Sequence, residues 1–516
     1  MRRIVSSLVA VIGLAIVAVP PAQTRAANLL PLVSFNGANG LSPRGELIAD
    51  AKGNLFGTTF LGGSNDHGTV FEIVKNSGGY ASTPTTLVNF CSLANCADGE
   101  DPVAGLIADA KGNLFGTTQF GGAYGRGTVF EIAKTASGYA STPTILVSFC
   151  ALANCADGAA PSGGLVFDSD GNLFGTTRDG GVNASAFSGT VFEIAKTPRG
   201  YASTPIILVN FCSLANCADG AAPQATLIAD PKGNLFGTTT EGGANGAGTV
   251  FEIIKTHHRY ASIPTTLVSF CSLPNCADGR VPFGSLIADA KGNLFGTTAG
   301  GPFLIEMGGA GTVFEIVKTA GGFASTATTL VNFCSLGSSL ANCADGKHPM
   351  GGLIADAKGN LFSTTSGGGA DDGGTVFEVA KTAGGYASTP TTLVNFCSLA
   401  NCADGEDPLA GLIADAKGNL FGTTNVGGAN NSGTVFEVTD SGFVIFAGRP
   451  GKPNCFGQSV SALARQYGGL NNAAEALGYS SVRELQKAIL EFCEPDEAAN
   501  TRSGSGSGNI SIADHS

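Results

Sequence analysis

The amino-acid sequence predicts an all-β fold, a seven-bladed β-propeller of four-stranded blades, followed by a small disulfide-stapled α-helical domain. Three observations lead to this prediction: seven internal repeats, four short apolar segments in each repeat, and a regular series of phenylalanines. The string Gly-Asn-Leu-Phe recurs seven times with a base period of 59 residues, and so does Gly-Thr-Val-Phe-Glu. The first string starts at Gly53, Gly112, Gly171, Gly233, Gly292, Gly359 and Gly418. Self-similarity at a fixed period is typical of repeat architectures.

Each repeat contains four segments with the composition of short strands. In the first copy these are residues 47–49, 55–59, 69–74 and 87–90, which are rich in Val, Ile, Leu, Phe and Thr. Gly, Asn and Asp separate them, as strand and turn propensities require. Between the first two segments, Asp50 and Gly53 predict a tight hairpin turn, and Gly78 begins the loop between the last two.

The phenylalanines indicate how the repeats pack. Phe56, Phe71 and Phe90 recur in the other copies, and these series account for 22 of the 32 phenylalanines. Strands that are apolar on both faces must be covered on both, which radially arranged blades achieve. We therefore expect the phenylalanines to fill the spaces between blades. A β-solenoid is the alternative architecture, although its coils are shorter than 59 residues.

Both ends of the repeat region carry a spare copy of the fourth-strand pattern, at residues 32–35 and 443–446. Closure of the ring would pair one terminal strand into the last blade and remove an exposed edge. The sequence leaves open which terminus supplies that strand.

The N-terminal 26 residues resemble a secretory signal peptide. Arg2 and Arg3 precede an apolar stretch at residues 8–19, and cleavage after Ala26 fits the small residues there. An uncleaved membrane anchor is the alternative. We expect residues 30–446 to form the propeller, 447–454 a linker, 455–495 the helical domain and 496–516 a disordered tail. The expected location is secreted, periplasmic or on the cell surface, with no membrane span after cleavage.

All fourteen cysteines fall into seven pairs that are close in sequence. We expect disulfides within each pair, because blades hold the repeats apart and export leads to an oxidising environment. Metal ligation is the alternative, but two cysteines per repeat without a recurrent histidine do not supply four clustered ligands. The pairs are Cys91 with Cys96, Cys150 with Cys155, Cys212 with Cys217, Cys271 with Cys276, Cys334 with Cys343, Cys397 with Cys402, and Cys455 with Cys493.

The charge composition argues against nucleic acid as a binding partner. The net charge is −12, with 28 Lys plus Arg against 40 Asp plus Glu, and no clustered positive charge of the kind that binds a nucleic-acid duplex. The expected partner is a glycan or an envelope or extracellular protein, bound by a monomer, with no nucleic acid.

Length variation among the repeats points to one face of the ring. In a propeller, the loop between the second and third strands shares a face with the connection between blades. All three insertions lie in these segments: between Gly171 and Gly189, between Gly292 and Gly311, and between Cys334 and Cys343. Insertions confined to one face of a repeat protein usually mark its binding surface, although neutral drift is the alternative. The candidate binding residues are Phe303, Ile305, Glu306, Asp371, Asp372 and Phe187.

No cofactor is expected, and calcium is the weak alternative. The acidic pairs Glu100-Asp101, Asp371-Asp372 and Glu406-Asp407 offer oxygen ligands of the type that Ca²⁺ prefers. The segment starting at Asp168 also resembles a calcium loop, but the sister repeats make the same turn with one Asp fewer, which favours a plain hairpin. The sequence offers no defensible set of catalytic residues: Glu72 and Lys75 recur from copy to copy and are interpreted as structural.

The repeat motif resembles that of the bacterial GloVer tandem-repeat proteins, named "choice-of-anchor" for their varied C-terminal ends. The resemblance rests on residues 55–59 (Leu-Phe-Gly-Thr-Thr), Gly62-Gly63 and residues 68–72, and it covers residues 30–446 in seven copies. It implies export and a repeat scaffold and supplies no catalytic residues. The tail departs from the family pattern, because it contains no apolar anchoring helix or sortase-like motif.

The C-terminal region changes to a helical pattern. Residues 458–466, 471–477 and 482–492 predict three short helices, the last with Val482, Leu485, Ile489 and Phe492 on one face. Ser481 and Glu484 form a capping-box pattern at its start. A hydrophobic core this small needs a stabilising cross-link, which a disulfide between Cys455 and Cys493 would provide. The unit is expected either to dock to an envelope partner or to cap the ring.

Two function classes follow. The leading expectation is an exported, non-enzymatic propeller that binds its partner through the face carrying the insertions. The alternative is a propeller lyase or hydrolase with a single active site near the central channel, for which a pocket joining one His with carboxylates of perturbed pKa would be diagnostic. A purely structural envelope protein is the third class.

Overall fold

The computed structural model describes residues 27–183, 188–256, 259–300, 309–334, 343–446, 454–466, 469–476, 479 and 481–493. The predicted signal peptide, most of the linker, the tail, and the candidate residues Phe187, Phe303, Ile305 and Glu306 lie outside the described residues. The protein is a seven-bladed β-propeller, as predicted, with four antiparallel strands in every blade.

The strands are named A to D from the channel outwards. Strand A comprises Ile48–Ala49, Ile107–Ala108, Val166–Phe167, Ile228–Ala229, Ile287–Ala288, Ile354–Ala355 and Ile413–Ala414 in blades 1 to 7. Strand B comprises Leu55–Thr59, Leu114–Thr118, Leu173–Thr177, Leu235–Thr239, Leu294–Thr298, Leu361–Thr365 and Leu420–Thr424. Strand C comprises Thr69–Ile73, Thr128–Ile132, Thr190–Ile194, Thr249–Ile253, Thr312–Ile316, Thr375–Val379 and Thr434–Thr439. Strand D comprises Thr85–Asn89, Thr144–Ser148, Ile206–Asn210, Thr265–Ser269, Thr328–Asn332, Thr391–Asn395 and, for blade 7, Asn28–Ser34.

The N-terminal segment closes the ring. Asn28–Ser34 pairs antiparallel with strand C of blade 7, from Asn28 opposite Thr439 to Ser34 opposite Thr434. This answers the question that the two spare strand patterns left open. The other spare segment follows strand C of blade 7 and packs Phe443 against Phe362 of blade 6, with ring centroids 5.0 Å apart.

Phenylalanine pairs hold each blade to the next, as the repeat pattern predicts. The phenylalanine that follows strand D packs edge-on or tilted against the strand C phenylalanine of the following blade, with ring centroids 4.9–5.1 Å apart. Phe35 with Phe71 and Phe90 with Phe130 are two of these seven contacts. Strand B makes room for them, because a Cβ on Gly116 would lie 2.6 Å from Phe130 Cζ.

A small outer hairpin between strands C and D was not predicted. In six blades, two-residue strands such as Lys75–Asn76 and Gly79–Tyr80 pair here, and an aromatic residue reaches the preceding blade. Tyr80, for example, packs against Phe421. The equivalent hairpins are Lys134–Thr135 with Gly138–Tyr139, Lys196–Thr197 with Gly200–Tyr201, Lys255–Thr256 with Arg259–Tyr260, Lys318–Thr319 with Gly322–Phe323, and Lys381–Thr382 with Gly385–Tyr386.

The recurrent charges belong to these contacts between blades. Lys134 Nζ lies 5.4 Å from the centre of the Tyr139 ring and interacts electrostatically with Glu72 of the preceding blade. Burial, followed by the negative charges of Glu72 and Asp50, raises the pKa of Tyr139 to about 12. The repeated Glu and Lys are therefore structural.

The cysteines form the seven expected disulfides, six beside the connections between blades and one in the helical unit. In five connections a short 3₁₀ turn ends on the second cysteine, at Ala94–Cys96, Ala153–Cys155, Ala215–Cys217, Pro274–Cys276 and Ala400–Cys402. A set of seven disulfides indicates an oxidising extracellular or periplasmic environment.

Three helices follow the ring: α1 (Cys455–Gln466), α2 (Leu470–Ala476) and α3 (Val482–Cys493). Ser481 Oγ accepts a hydrogen bond from the Glu484 N–H at 3.3 Å, so the predicted cap forms. Leu485 and Ile489 are buried in an apolar cluster that continues through Phe446 and Phe443 into blades 6 and 7. Among the described residues, no helix has the length and apolar character needed to cross a membrane.

We predict that Phe130→Ala lowers the free energy of unfolding by about 3–5 kcal/mol, because it leaves a cavity between blades 1 and 2. The measurement is chemical denaturation at neutral pH without reductant. Leu152→Ala is the matched control, since Leu152 is 54% exposed in the loop that follows the same blade, and it should change stability by less than about 0.5 kcal/mol. Equal effects of the two substitutions would contradict the proposed role of the phenylalanine pairs.

Candidate functional site

Backbone contacts place the loops on the two faces as expected. The connection between blades pairs with the B–C loop of the blade it enters, as in Leu41 opposite Leu61 and Glu100 opposite Phe120. The A–B turn contacts the start of the outer hairpin instead, where Lys75 N–H donates to Asn54 Oδ1 at 2.9 Å. We call the first side, formed by the B–C loops and the connections between blades, the insertion face, because all three insertions belong to its segments.

A central channel with a volume of about 160 Å³ runs inside the ring, lined by residues of all seven blades. The segment before strand A supplies this lining in each blade, and it has one pattern: a residue with positive φ, a proline, and three variable residues. The positive-φ residues are Ser42, Asp101, Ala160, Ala222, Val281, His348 and Asp407, with φ between 51° and 58°. For β-branched Val281 this conformation is unusual, so the backbone here is held by its surroundings.

The insertion face is not uniform around the ring. Where blades 7, 1 and 2 meet, charged and polar side chains from several segments converge beside the channel. We call Arg44, His67, Asp101, Asp407 and Asn425 the seam cluster, because it lies where the N-terminal strand closes the ring.

Arg44 occupies the middle of the seam cluster. Its guanidinium stacks on the Phe60 ring at 4.1 Å from the ring centre, and its Nε donates to Asn425 Oδ1 at 3.2 Å. Burial lowers the pKa of Arg44, while the negative charges of Asp407 and Asp101 oppose that shift. The arginine is therefore fixed by stacking and by one hydrogen bond, between two carboxylates that attract it electrostatically.

The two aspartates hold their protons more tightly than usual. Burial is the main cause of the raised pKa of Asp407, opposed by a 2.9 Å hydrogen bond from Asn425 Nδ2 and by the charge of Arg44. Burial also raises the pKa of Asp101, helped by the charge of Glu100 and opposed by His67 and Arg44.

His67 completes the cluster. Its Nδ1 lies 3.2 Å from Glu100 Oε2 and 3.5 Å from Asp101 Oδ1, and 39% of its side chain is exposed. Two carboxylates thus lie at ion-pair distance from one imidazole nitrogen, an arrangement that suits proton transfer or hydrogen bonding by the other.

Aromatic side chains lie next to this cluster. In the described parts of the B–C loops, aromatic residues occur in blades 1 and 2, as Phe60, Phe120 and the exposed Tyr124. The other described B–C loops carry small, aliphatic, charged or amide residues at these positions. Among the described B–C loops, aromatic rings beside charged and amide groups therefore mark the sector of blades 1 and 2.

Of the candidate binding residues taken from the sequence, the structure describes Asp371 and Asp372. Both are exposed in the B–C loop of blade 6, and Asp372 Oδ1 pairs with Lys347 Nζ at 2.7 Å. Contacts with Lys347 and with the Gly368 N–H lower the pKa of Asp372 despite the opposing effect of burial. These two aspartates belong to the insertion face but not to the seam cluster.

Sequence reasoning missed the seam cluster, although Asp101 and Asp407 were noticed as members of acidic pairs. The sequence feature that could have revealed the cluster is residue identity and not loop length. The residues on either side of the constant proline differ from one repeat to the next. An alignment of the seven copies would have placed Arg44 where the others have Val, Ser, Gln, Phe, Met and Leu.

The calcium interpretation of the acidic pairs finds no support among the described residues. The pairs face His67, Arg44 with Asn425, and Lys347, instead of one another. Groups with metal-ligand spacing do occur, but each includes two cysteines that are joined in a disulfide. Asp168 makes a plain hairpin turn, in which its carboxylate accepts hydrogen bonds from Asp170 and Asn172.

Comparison with known proteins identifies the family. The Gloeobacter/Verrucomicrobia repeat matches residues 16–153, 140–343 and 334–451. The chain belongs to this repeat family. No curated protein sequence matches it significantly.

Solved structures of several propeller-like proteins are similar at a low level. An α-L-arabinanase of Penicillium chrysogenum, complexed with arabinobiose, is 13% identical over 81% of this chain and 99% of its own, with a TM-score of 0.39. A glucose dehydrogenase is 11% identical over 80% of this chain and 99% of its own, with a TM-score of 0.37. A puromycin hydrolase is 12% identical over 75% of this chain and 50% of its own, with a TM-score of 0.45. At this similarity neither activity nor substrate transfers to this member of the repeat family.

The seam cluster should make stability depend on pH. Because the pKa of Asp407 is raised, the native state keeps this proton at a pH where the unfolded chain has lost it. The stability that Asp407 contributes is therefore present at acidic pH and is lost as the pH rises above its ordinary pKa of 3.8. Asp407→Asn should reduce the fall in melting temperature between about pH 4 and pH 7.

The control is Asp371→Asn, at an exposed carboxylate on the same face. Its melting profile against pH should follow that of the wild type. If Asp407→Asn follows the wild type as well, burial of Asp407 does not have the assigned energetic consequence.

Proposed function

We propose that this protein is an exported binding propeller that recognises a glycan at the seam cluster on its insertion face. Export would use the N-terminal signal sequence, and the seven disulfides fit an oxidising compartment. The single observation that carries the proposal is the convergence of Arg44, two carboxylates and an amide beside the Phe60 ring in one sector of the described insertion face.

The chemistry of these groups suits a polyhydroxylated ligand. Carboxylates accept and amides and guanidinium groups donate hydrogen bonds, which together match the hydroxyl groups of a sugar. Aromatic faces supply apolar contact area with few rotatable bonds. Tyr124 is 53% exposed in the B–C loop of blade 2, which also contains Phe120.

The fixed positions of the seam-cluster side chains support a binding function more directly than the loop insertions do. Asp407 accepts from Asn425, and Asn425 accepts from Arg44, so three side chains from two blades are fixed before any ligand arrives. Groups that are already ordered lose less conformational entropy on binding. A protein partner is the other class compatible with the sequence, but the small polar cluster favours a glycan.

We predict that Arg44→Gln lowers the affinity for the bound glycan at least tenfold, because it removes the charge between the two aspartates. The ligand would be found on a glycan array with the full secreted chain, and its affinity measured by isothermal titration calorimetry. Arg259→Gln is the control, since Arg259 is exposed in the outer hairpin of blade 4, away from the insertion face, and it should bind like the wild type.

Circular dichroism and melting temperature would establish that both variants fold. An array without any glycan ligand, or equal binding by the two variants, would reject the proposal.

His67 supports a second candidate function, a hydrolase or lyase acting at the same place. The pKa of Asp101, which lies beside His67, is raised, and such a pairing on this face is a feature that would favour an enzyme over a binding protein. In that case Nε2 of His67 would exchange a proton with the substrate while Asp101 and Glu100 fix the ring.

The two candidates separate by product analysis. Glycans that bind would be incubated with the wild type and with His67→Gln, and the products examined for new reducing ends or for unsaturated sugars. Cleavage by the wild type that is lost in His67→Gln would establish the enzyme, whereas intact glycan with retained binding would support the binding protein.

A further inference from the structure

The end of the central channel at the insertion face is lined by side chains of unlike chemistry. In each blade, the residue after the constant proline lines the channel before strand A begins. We call these seven residues the channel mouth. From blade 1 to blade 7 they are Arg44, Val103, Ser162, Gln224, Phe283, Met350 and Leu409.

Three neighbouring blades give the mouth an apolar side. Phe283, Met350 and Leu409, in blades 5 to 7, are half-buried, so part of each side chain stays accessible. We call these three residues the apolar arc. Contiguous apolar side chains that stay accessible and are bordered by polar groups are typical of ligand-binding surfaces. Because blade 7 neighbours blade 1, the arc adjoins Arg44 and with it the seam cluster.

The channel has a floor of small residues just below the mouth. The next residue in every blade is Gly or Ala, and a Cβ on Gly284 would lie 2.6 Å from the backbone oxygen of Gly351 in the following blade. One position further on, the Glu46 side chain extends towards blade 6, with Oε1 3.0 Å from the Cβ position of Gly352. A group that enters from the insertion face would therefore stop beside the apolar arc.

The size and chemistry of this space suit a small apolar group. The channel has a volume of about 160 Å³, and an apolar protein cavity of about 150 Å³ holds benzene. The side chains of the arc offer no hydrogen-bond donor, so sugar hydroxyl groups placed there would lose hydrogen bonds to water without replacement. An aromatic ring would instead contact the Phe283 ring and the Met350 sulfur, both of which make favourable contacts with aromatic groups.

We propose that the ligand of the seam cluster is a glycoside with an aryl or branched alkyl substituent, and that this substituent enters the channel mouth and packs on the apolar arc. The inference rests on the proposed glycan-binding function and specifies the class of glycan. The sugar hydroxyl groups would lie on the seam cluster beside Arg44, and the apolar substituent on Leu409, Met350 and Phe283. Each part of such a ligand meets protein groups of matching polarity.

The test uses paired phenyl and methyl glycosides of glucose, galactose, mannose and xylose. Each would be titrated into the full secreted chain by isothermal titration calorimetry. We expect the phenyl glycoside of at least one sugar to bind at least tenfold more tightly than its methyl partner, because the ring is removed from water.

Two substitutions in the apolar arc locate the effect. Met350→Gln keeps the length of the side chain but places a polar group in the middle of the arc, and Phe283→Ser removes its aromatic ring. Both should weaken binding of the phenyl glycoside at least fivefold and leave binding of the methyl glycoside unchanged. Val182→Thr is the matched control, because Val182 is 64% exposed in the B–C loop of blade 3 and does not line the channel. Circular dichroism would establish that all three variants fold.

Three outcomes would overturn the inference and leave the glycan proposal standing. They are equal affinities for the phenyl and methyl glycosides, a phenyl preference that persists in both Met350→Gln and Phe283→Ser, and no binding of any of these glycosides when the array shows a ligand. A glycan array without any ligand would instead reject the proposed function, and the inference with it.

Discussion

The contact between one phenylalanine after strand D and another in strand C of the next blade is the interaction on which the ring depends. Each ring of these pairs is buried, and in six blades a Gly in strand B lies where a Cβ would overlap the strand C ring, whereas blade 6 has Ser363 at this position. The small third residue of the motif Leu-Phe-Gly-Thr-Thr, which is Ser in blade 6, thus reflects packing that is repeated around the axis. Since seven such contacts must close on themselves, the N-terminal strand has to complete blade 7, and Phe35 makes the last contact with Phe71.

A scaffold held by such regular contacts leaves certain positions free to differ. Strands B and C keep their residues nearly unchanged, whereas the segment between the constant proline and strand A changes in every blade. That segment contributes no phenylalanine pair and no disulfide, but it lines the channel and its mouth. The residues that differ in chemistry between blades therefore lie near the channel axis. Arg44 and Glu46, two residues apart in blade 1, are examples.

The fold could be predicted from the sequence because residues that make the same contacts recur in each of the seven repeats. The period, the strands and the phenylalanine contacts follow from local patterns that no single substitution obscures. The outer hairpin was missed because the sequence around Lys75 and Tyr80 has the composition of a loop. Its role becomes clear only from the contacts, in which Lys75 lies over the Tyr80 ring and Tyr80 packs against Phe421 of the neighbouring blade. The seam cluster was missed for a different reason: Arg44, Asp101 and Asp407 are distant in sequence, and only ring closure brings them together. The insertions could be found from differences in repeat length. The residues of the seam cluster could not, because they replace other residues without changing the length of the repeat.

The seam cluster lies at the joint where the ring closes, so a ligand bound there would couple to closure of the ring. Arg44 follows the N-terminal strand, whereas Asn425 belongs to blade 7, so their hydrogen bond spans the joint between the two ends of the repeat region. The same joint is tied by Ser42 N–H donating to Ser432 O and by Phe35 N–H donating to Gly433 O. A connection without a disulfide enters blade 1 here, with Asn36 and Asn39 bonded to each other in its place. A ligand that touches both Arg44 and Asp407 would therefore bind the closed ring better than a ring whose N-terminal strand has detached. Binding energy at this place would stabilise the N-terminal strand, which is not continuous in sequence with the rest of blade 7.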